Sequence, residues 1–471
     1  MDMAERGIYC NRTLNLRSIR AIGYDMDYTL VHYNVDEWEG QAYAHLQAKL
    51  VARGWPVGHL RYDPTRVIRG LVIDTELGNT IKINRFGYVK TAHHGTQELD
   101  YQDTRRAYAR TIVDLSEPRW RFLNTLFALS EACMLAQVID MFDDGRIEDP
   151  EVHTYRDMYL AVRGALDAAH FEGALKAEIM ADPERYVELD ERMPMALLDQ
   201  KMAGKRLVLI TNSEWSYTKF MMAYAFDRFL PGDMTWRDLF EVSVVSSRKP
   251  VFFTHNEPVY LVADEERGLL EPCRQMERGK VYHGGSARRV EDYLGVSGAH
   301  ILYVGDHVFT DVHVSKQILR WRTALILREL EIEIGAVRQS VELQREITEK
   351  MALKVRLEDE FSEIRLDLQR IREGYGPRSD ADPEVLKAEL ARRREELVAL
   401  DATIAPLVIR DSTSFNPHWG HLLRAGNDKA HLTRQIEGYA DIYTSRVSNF
   451  LPYTPFMFFR ASRGSLPHDQ V

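Results

Sequence analysis

Apolar positions along the chain fall into two rhythms. Short, mostly apolar runs that stop abruptly at polar residues predict buried strands, and several recur. In IRAIGYDMDYTL the run Ile19, Ala21, Ile22, Tyr24 ends at Asp25. In KRLVLITNS the run from Lys205 to Ile210 ends at Thr211, Asn212 and Ser213. HILYVGDHVFTDV ends its strand at Gly305 and Asp306, EVSVVSSRKPVFF follows the same habit, and TALIL spans Thr323 to Leu327. Strands separated by helical stretches predict an α/β fold built on a doubly wound, mostly parallel sheet.

Between the first two strands the rhythm changes. Ala42, Leu46 and Leu50 have helical spacing and stop at Gly54 and Pro56. From Arg66 to Gly95, the runs VIRGLVIDT, TIKIN and YVKTA, punctuated by Gly78-Asn79 and Phe86-Gly87, predict a small antiparallel meander. From Arg105 to about Asp199 the pattern is mostly helical. We therefore expect residues 1–30 and 200–330 to form the core and 31–199 an inserted α+β cap domain.

After Leu330 the composition turns to Glu, Arg, Lys and Leu. Leu330, Ile334, Val337 and Val341, then Phe361, Ile364, Leu368 and Ile371, step by three and four residues. The breaker GYGPRSDADP separates them from Leu386, Leu390, Leu397, Leu400 and Ile404, which predicts an antiparallel helical hairpin over 331–405. Residues 406–471 carry Trp419, Tyr439, Tyr443, Phe450 and Phe459, an aromatic content suited to packing on the core.

Composition narrows the function. Of the 471 residues 45% are hydrophobic and 28% charged, ordinary for a globular protein, and the formal charge of -10 argues against nucleic acid held through its phosphates. Three widely spaced cysteines, Cys10, Cys133 and Cys273, suit a reducing compartment, and neither a membrane span nor a signal-peptide core is evident, so we expect a cytoplasmic protein. The hairpin and aromatic tail leave a homo-oligomer open.

Ligands of open α/β sheets bind beyond the carboxyl ends of the strands. Two aspartates two residues apart at such an end, Asp25 and Asp27, can reach one site: Asp25 to attack phosphorus, Asp27 to pass a proton to the leaving oxygen. Asp306 is a second carboxylate for Mg²⁺, and Asp311 can order the metal's waters. Thr211 and Ser213 can donate to phosphate, while Lys249 brings a mobile positive charge.

In this order DMDYT, TNS, RKP and GDHVFTD resemble the haloacid dehalogenase-like phosphohydrolases, and GYDMDYTL, RGLVIDTELGN, LNTLF, TNSEWSYT, VYHGGS and FRASRG are similar to their cytosolic purine 5'-nucleotidase branch. The resemblance implies a Rossmann-like core and a phosphoaspartate at Asp25, with Asp27 as acid and then base. It implies Mg²⁺ on the Asp25 carboxylate, the Asp27 carbonyl and Asp306, with Asp311 behind, and phosphate bound by Thr211, Asn212, Ser213 and Lys249. It also implies purine recognition by Phe127, Arg163, Asp167, His170, Phe171 and Lys176, hence an IMP- or GMP-preferring 5'-nucleotidase with nucleoside phosphotransferase activity as a secondary expectation. Two other readings stand beside it: a broad small-molecule phosphatase, and a non-enzymatic interaction protein that uses the hairpin.

Overall fold

The computed structural model describes residues 7–171, 173–377, 381–462 and 464. The chain divides into two compact units, Met1–Glu331 with Leu422–Val471, and Ile332–His421.

The first unit is built on a ten-stranded sheet. From Ile442–Thr444 through Arg322–Ile326, Ile301–Gly305, Ala21–Tyr24, Arg206–Ile210 and Val242–Val245 to Val281–Gly284, every pairing is parallel. These strands are continuous apolar runs because helices cover both faces of such a sheet. The α/β, doubly wound, mostly parallel class expected from the hydropathy pattern is the one observed. Its edges add antiparallel strands that the pattern did not announce: Ile8–Cys10 beside Ile442–Thr444, and the hairpin Val259–Asp264 with Leu269–Pro272 beside Val281–Gly284.

Ala21–Tyr24 lies between Arg206–Ile210 and Ile301–Gly305. The chain winds outward on one side of it and returns on the other, so the direction of winding switches beside this strand. That is where an open α/β sheet leaves a crevice beyond its carboxyl ends.

Residues between Ala21–Tyr24 and Arg206–Ile210 carry a five-stranded antiparallel sheet and a helical layer. The meander Val72–Asp74, Asn79–Ile83 and Val89–His94 is present. The mostly helical character expected after Arg105 is interrupted: the helix Tyr101–Tyr108 stops, and Trp120–Phe122 joins the sheet beside Val72–Asp74. Pro118 disfavours continued helix, the aromatic ends of the short segment that follows favour strand, and its pairing partner lies far back in the chain. Helices Leu129–Asp143, Tyr155–Phe171 and Ala174–Ala181 complete the insertion. The chain leaves and re-enters the core side by side, with His32–Tyr33 paired antiparallel to Val187–Glu188.

In the second unit, helices Val341–Glu373 and Pro383–Ser412 pack antiparallel, one closed by Gly374 at φ 71 and the other opened by the Asp382 side chain, which accepts from the Glu384 N–H. Leu386 and Ile404 are buried in the seam, whereas Val337 and Val341 are exposed, because the helix breaks at Ser340. Among the described residues no helix is long and apolar enough to cross a membrane.

Candidate active site

Asp25 follows a fully buried strand, and its N–H still donates to the Val304 carbonyl at 2.9 Å. The chain then curls, with the Met26 carbonyl accepting from the N–H groups of Thr29, Leu30 and Val31 and Tyr28 in the left-handed region at φ 55. The curl presents both aspartates at one end of the sheet.

Lys249 Nζ lies 2.8 Å from Asp25 Oδ1 and 2.9 Å from Asp311 Oδ1, and donates to the Tyr303 hydroxyl at 3.1 Å. Asp25, Asp306 and Asp311 are all buried, and each offers an oxygen within 4.8 Å of the others. Gly305 permits this crowding, since a Cβ there would stand 2.5 Å from Asp311 Oδ2. Burial raises the Asp25 pKa to about 7, with Lys249 opposing and Asp311 and Asp27 adding to the rise. Burial, then Asp311 and Asp25, push Asp306 well up. Burial works against the charge on Lys249, but Asp25 and Asp311 outweigh it and hold its pKa well above the usual value. Carboxylates so close together in a dry site, with oxygen donors only, suit a hard divalent cation.

The strand end after Ile210 behaves differently from a row of free donors. Thr211 Oγ1 accepts from the Ser213 N–H at 3.0 Å. Asn212 Oδ1 accepts from Ser247 Oγ at 2.9 Å and from the Lys249 N–H at 2.6 Å, so it ties down the loop that carries the lysine. Ser213 Oγ donates to Asp27 Oδ2 at 2.7 Å.

A cavity of about 340 Å³ opens beside Asp27, lined by Trp38, Phe127, Leu175, Lys176, Asn212 and Ser213. Phe127 and Lys176 thus stand together at its wall. Arg163 and Asp167 do not line it. They form an ion pair at 3.1 Å on the helix Tyr155–Phe171, and Arg163 Nη1 also holds Glu131 Oε2 at 2.8 Å. The side chains of His170 and Phe171 lie outside the described residues.

Three contributors carry no sequence signal of their own. Arg69, from the insertion, donates to the Asp306 carbonyl at 3.1 Å. Trp38 packs its ring 5.3 Å from Phe127 and 4.4 Å from Tyr33. Tyr33 donates to Asp27 Oδ1 at 2.6 Å. Their relevance exists only once distant segments meet.

The chain is similar to known proteins along nearly its whole length. A sequence profile of the 5' nucleotidase family matches residues 8–471. Human 5'-nucleotidase domain-containing protein 2 is 28% identical over 483 residues, covering 98% of this chain and 85% of that protein. A 5'-nucleotidase domain-containing protein of Dictyostelium discoideum is 26% identical over 472 residues, covering 98% of this chain and 74% of its own length. Among solved structures, an archaeal β-phosphoglucomutase from Pyrococcus is matched loosely, with a TM-score of 0.32 and 11% identity over 65% of this chain and 86% of that one, too distant to bear on function. The profile spans nearly the whole described chain, and the chain therefore belongs to the 5' nucleotidase family, as a phosphohydrolase.

Proposed function

We propose that this enzyme hydrolyses purine nucleoside 5'-monophosphates, with IMP and GMP preferred, through a phosphoaspartate at Asp25. The observation that carries the reading is the buried cluster of Asp25, Asp306 and Asp311 around Lys249, opening toward Asp27 and an aromatic-walled cavity. Asp25 Oδ1 is engaged by Lys249 and by the Met26 N–H at 2.8 Å, so in this reading Oδ2 is the attacking oxygen. The Oδ2–phosphorus bond forms as the bond from phosphorus to the 5' oxygen breaks, and Asp27 gives that oxygen its proton. Asp27 then takes a proton from water as the water oxygen displaces Asp25 from phosphorus.

Mg²⁺ held by Asp25, the Asp27 carbonyl and Asp306, with Asp311 ordering its waters, would supply charge neutralisation for the phosphate oxygens. Lys249 restrains Asp25 and screens its repulsion from the dianion, and Asn212 keeps Lys249 in place. Thr211 and Ser213 frame the phosphate. Phe127 would stack on the base, with Lys176 at the cavity rim and Arg163, Asp167, His170 and Phe171 as further base contacts. A nucleoside hydroxyl replacing water would give phosphotransfer. We place this activity in the cytoplasm, in keeping with the spaced cysteines, with self-association open.

One observation favours a second reading. Arg163 is held by Asp167 and Glu131, and neither Arg163 nor Asp167 lines the cavity, which suits a phosphatase indifferent to the base. Phosphate release from IMP, GMP, AMP, CMP and glucose 6-phosphate, with Mg²⁺ and with chelator, separates the two. The purine reading expects IMP and GMP to lead, chelation and Asp25→Asn to stop turnover, and Arg163→Ala to erode mainly the base preference. Equal rates on all substrates would leave a broad phosphatase.

A further inference from the structure

Both oxygens of Asp27 are engaged. Ser213 Oγ donates to Oδ2 at 2.7 Å, and the Tyr33 hydroxyl donates to Oδ1 at 2.6 Å. Tyr33 in turn accepts from the Tyr217 hydroxyl at 3.1 Å. Lys176 Nζ stands 4.6 Å from the centre of the Tyr217 ring and donates to Ser213 Oγ at 3.2 Å. Asp27, Ser213, Lys176, Tyr217 and Tyr33 therefore close a ring of side chains around one carboxylate. Tyr33 and Tyr217 are buried to 1% and 0% exposure, so these hydroxyl contacts are shielded from competing water.

The place of Tyr33 in the fold is as informative as its contact. It sits in the two-residue strand His32–Tyr33, opposite Val187, where the chain leaves the core for the insertion and comes back. Trp38, a cavity wall, packs on its ring at 4.4 Å. Lys176 brings the insertion to the other side of the same ring of contacts. One phenol thus joins the Asp27 carboxylate to the crossing strands and to the substrate cavity.

We infer that Tyr33 is a positioning residue for Asp27: its hydroxyl, supported by Tyr217, holds the carboxylate in the orientation that hands a proton to the leaving oxygen. The inference rests on the acid–base reading of Asp27 given above. A carboxylate that lost this donor would rotate about its side-chain bonds, and small misplacements of a reacting group cost rate steeply. The loss should appear only where the leaving group needs a proton.

The test is single-turnover leaving-group release, enzyme in excess with Mg²⁺, from IMP and from p-nitrophenyl phosphate. Inosine needs protonation to depart, whereas p-nitrophenolate does not. For Tyr33→Phe the expected result is a loss of about 10-fold or more with IMP and less than about 2-fold with p-nitrophenyl phosphate. Equal losses with the two substrates, or no loss with IMP, would overturn the inference. Tyr217→Phe, which leaves Tyr33 in place, should show the same selectivity at smaller amplitude, and it decides the matter by the same criteria if Tyr33→Phe does not fold. Asp27→Asn measured alongside separates the two levels: selective loss there but not in Tyr33→Phe removes Tyr33 alone, while unselective loss there removes the acid–base reading itself.

Discussion

Arg69 of the inserted domain donates from Nη1 to the carbonyl oxygen of Asp306 at 3.1 Å, while its Nη2 holds Glu329 at 2.6 Å. The guanidinium is buried, so one side chain fixes the main chain at Asp306 of the acidic cluster and neutralises a glutamate beyond it. Arg69→Met leaves Glu329 without its cation and the Asp306 carbonyl without its donor. The expected cost is about 3 kcal/mol or more, since removing one partner of a buried ion pair strands the other. Chemical denaturation of parent and variant checks it, and an unchanged midpoint would show that the pair contributes nothing net.

Lys249 is the cation in contact with both Asp25 and Asp311. Lys249→Met should lower kcat by about 100-fold or more, the scale seen when a preorganised charge at a developing phosphoryl centre is removed. It should also leave the acidic cluster with more uncompensated repulsion. Thermal melting with and without Mg²⁺ reads this directly: the ion should raise the midpoint of the variant by more than it raises that of the parent. An equal shift in both would separate Lys249 from the metal site.

Gly305 closes the strand that delivers Asp306, and an added Cβ would meet Asp311 Oδ2 at 2.5 Å. The neighbour cannot retreat easily, because the same oxygen accepts the His307 N–H at 3.1 Å and the carboxylate is fully buried. Gly305→Ala is therefore expected to lose about 1 to 3 kcal/mol of stability from overpacking. Displacing Asp311 should also weaken Mg²⁺ activation, seen as a rise of about 10-fold in the Mg²⁺ concentration needed for half-maximal turnover. A variant with parental Mg²⁺ dependence would place Asp311 outside the metal's surroundings.

Most of the parallel core was readable because its strands are local signals: Ile19–Tyr24 and Lys205–Ile210 are apolar runs that end in chemistry-bearing residues, whereas Val281–Gly284 and Ile442–Thr444 are too short to announce themselves. Asp25, Asp306 and Lys249 were readable for the same reason, since strand ends on one side of such a sheet must converge. Leu269–Pro272 gave no such signal, because an exposed edge strand is fixed by its pairing with Val259–Asp264 and not by its own pattern. Arg69 meets Asp306 across 237 positions of sequence, a separation no local rhythm encodes. The (i, i+4) spacing of Arg163 and Asp167 allowed either a shared ligand or a mutual ion pair. Glu131, on another helix, anchors Arg163 in the pair observed.

Glu39 provides a pH dependence that can be separated from catalysis. It is fully buried, one carboxylate oxygen accepts the Ser130 N–H at 2.7 Å, and its other oxygen has no hydrogen-bond partner among the described residues. Burial lifts its pKa from 4.5 to about 7, with the Ser130 N–H pulling the other way and Glu131 adding to the rise. Between those two values the native state holds a proton that the unfolded chain releases. Its stability therefore falls as pH climbs through that window and levels off above it. Glu39→Gln cannot titrate, and its amide oxygen can still accept from Ser130. At pH 8 the variant should exceed the parent by about 1 to 3 kcal/mol, less than the full linkage because the new amide N–H₂ also lacks a partner. Near pH 4 that advantage should vanish, because the parent is then protonated in both states. Thermal melting at the two pH values measures the gap, and a gap independent of pH would mean that Glu39 titrates near its ordinary value despite its burial.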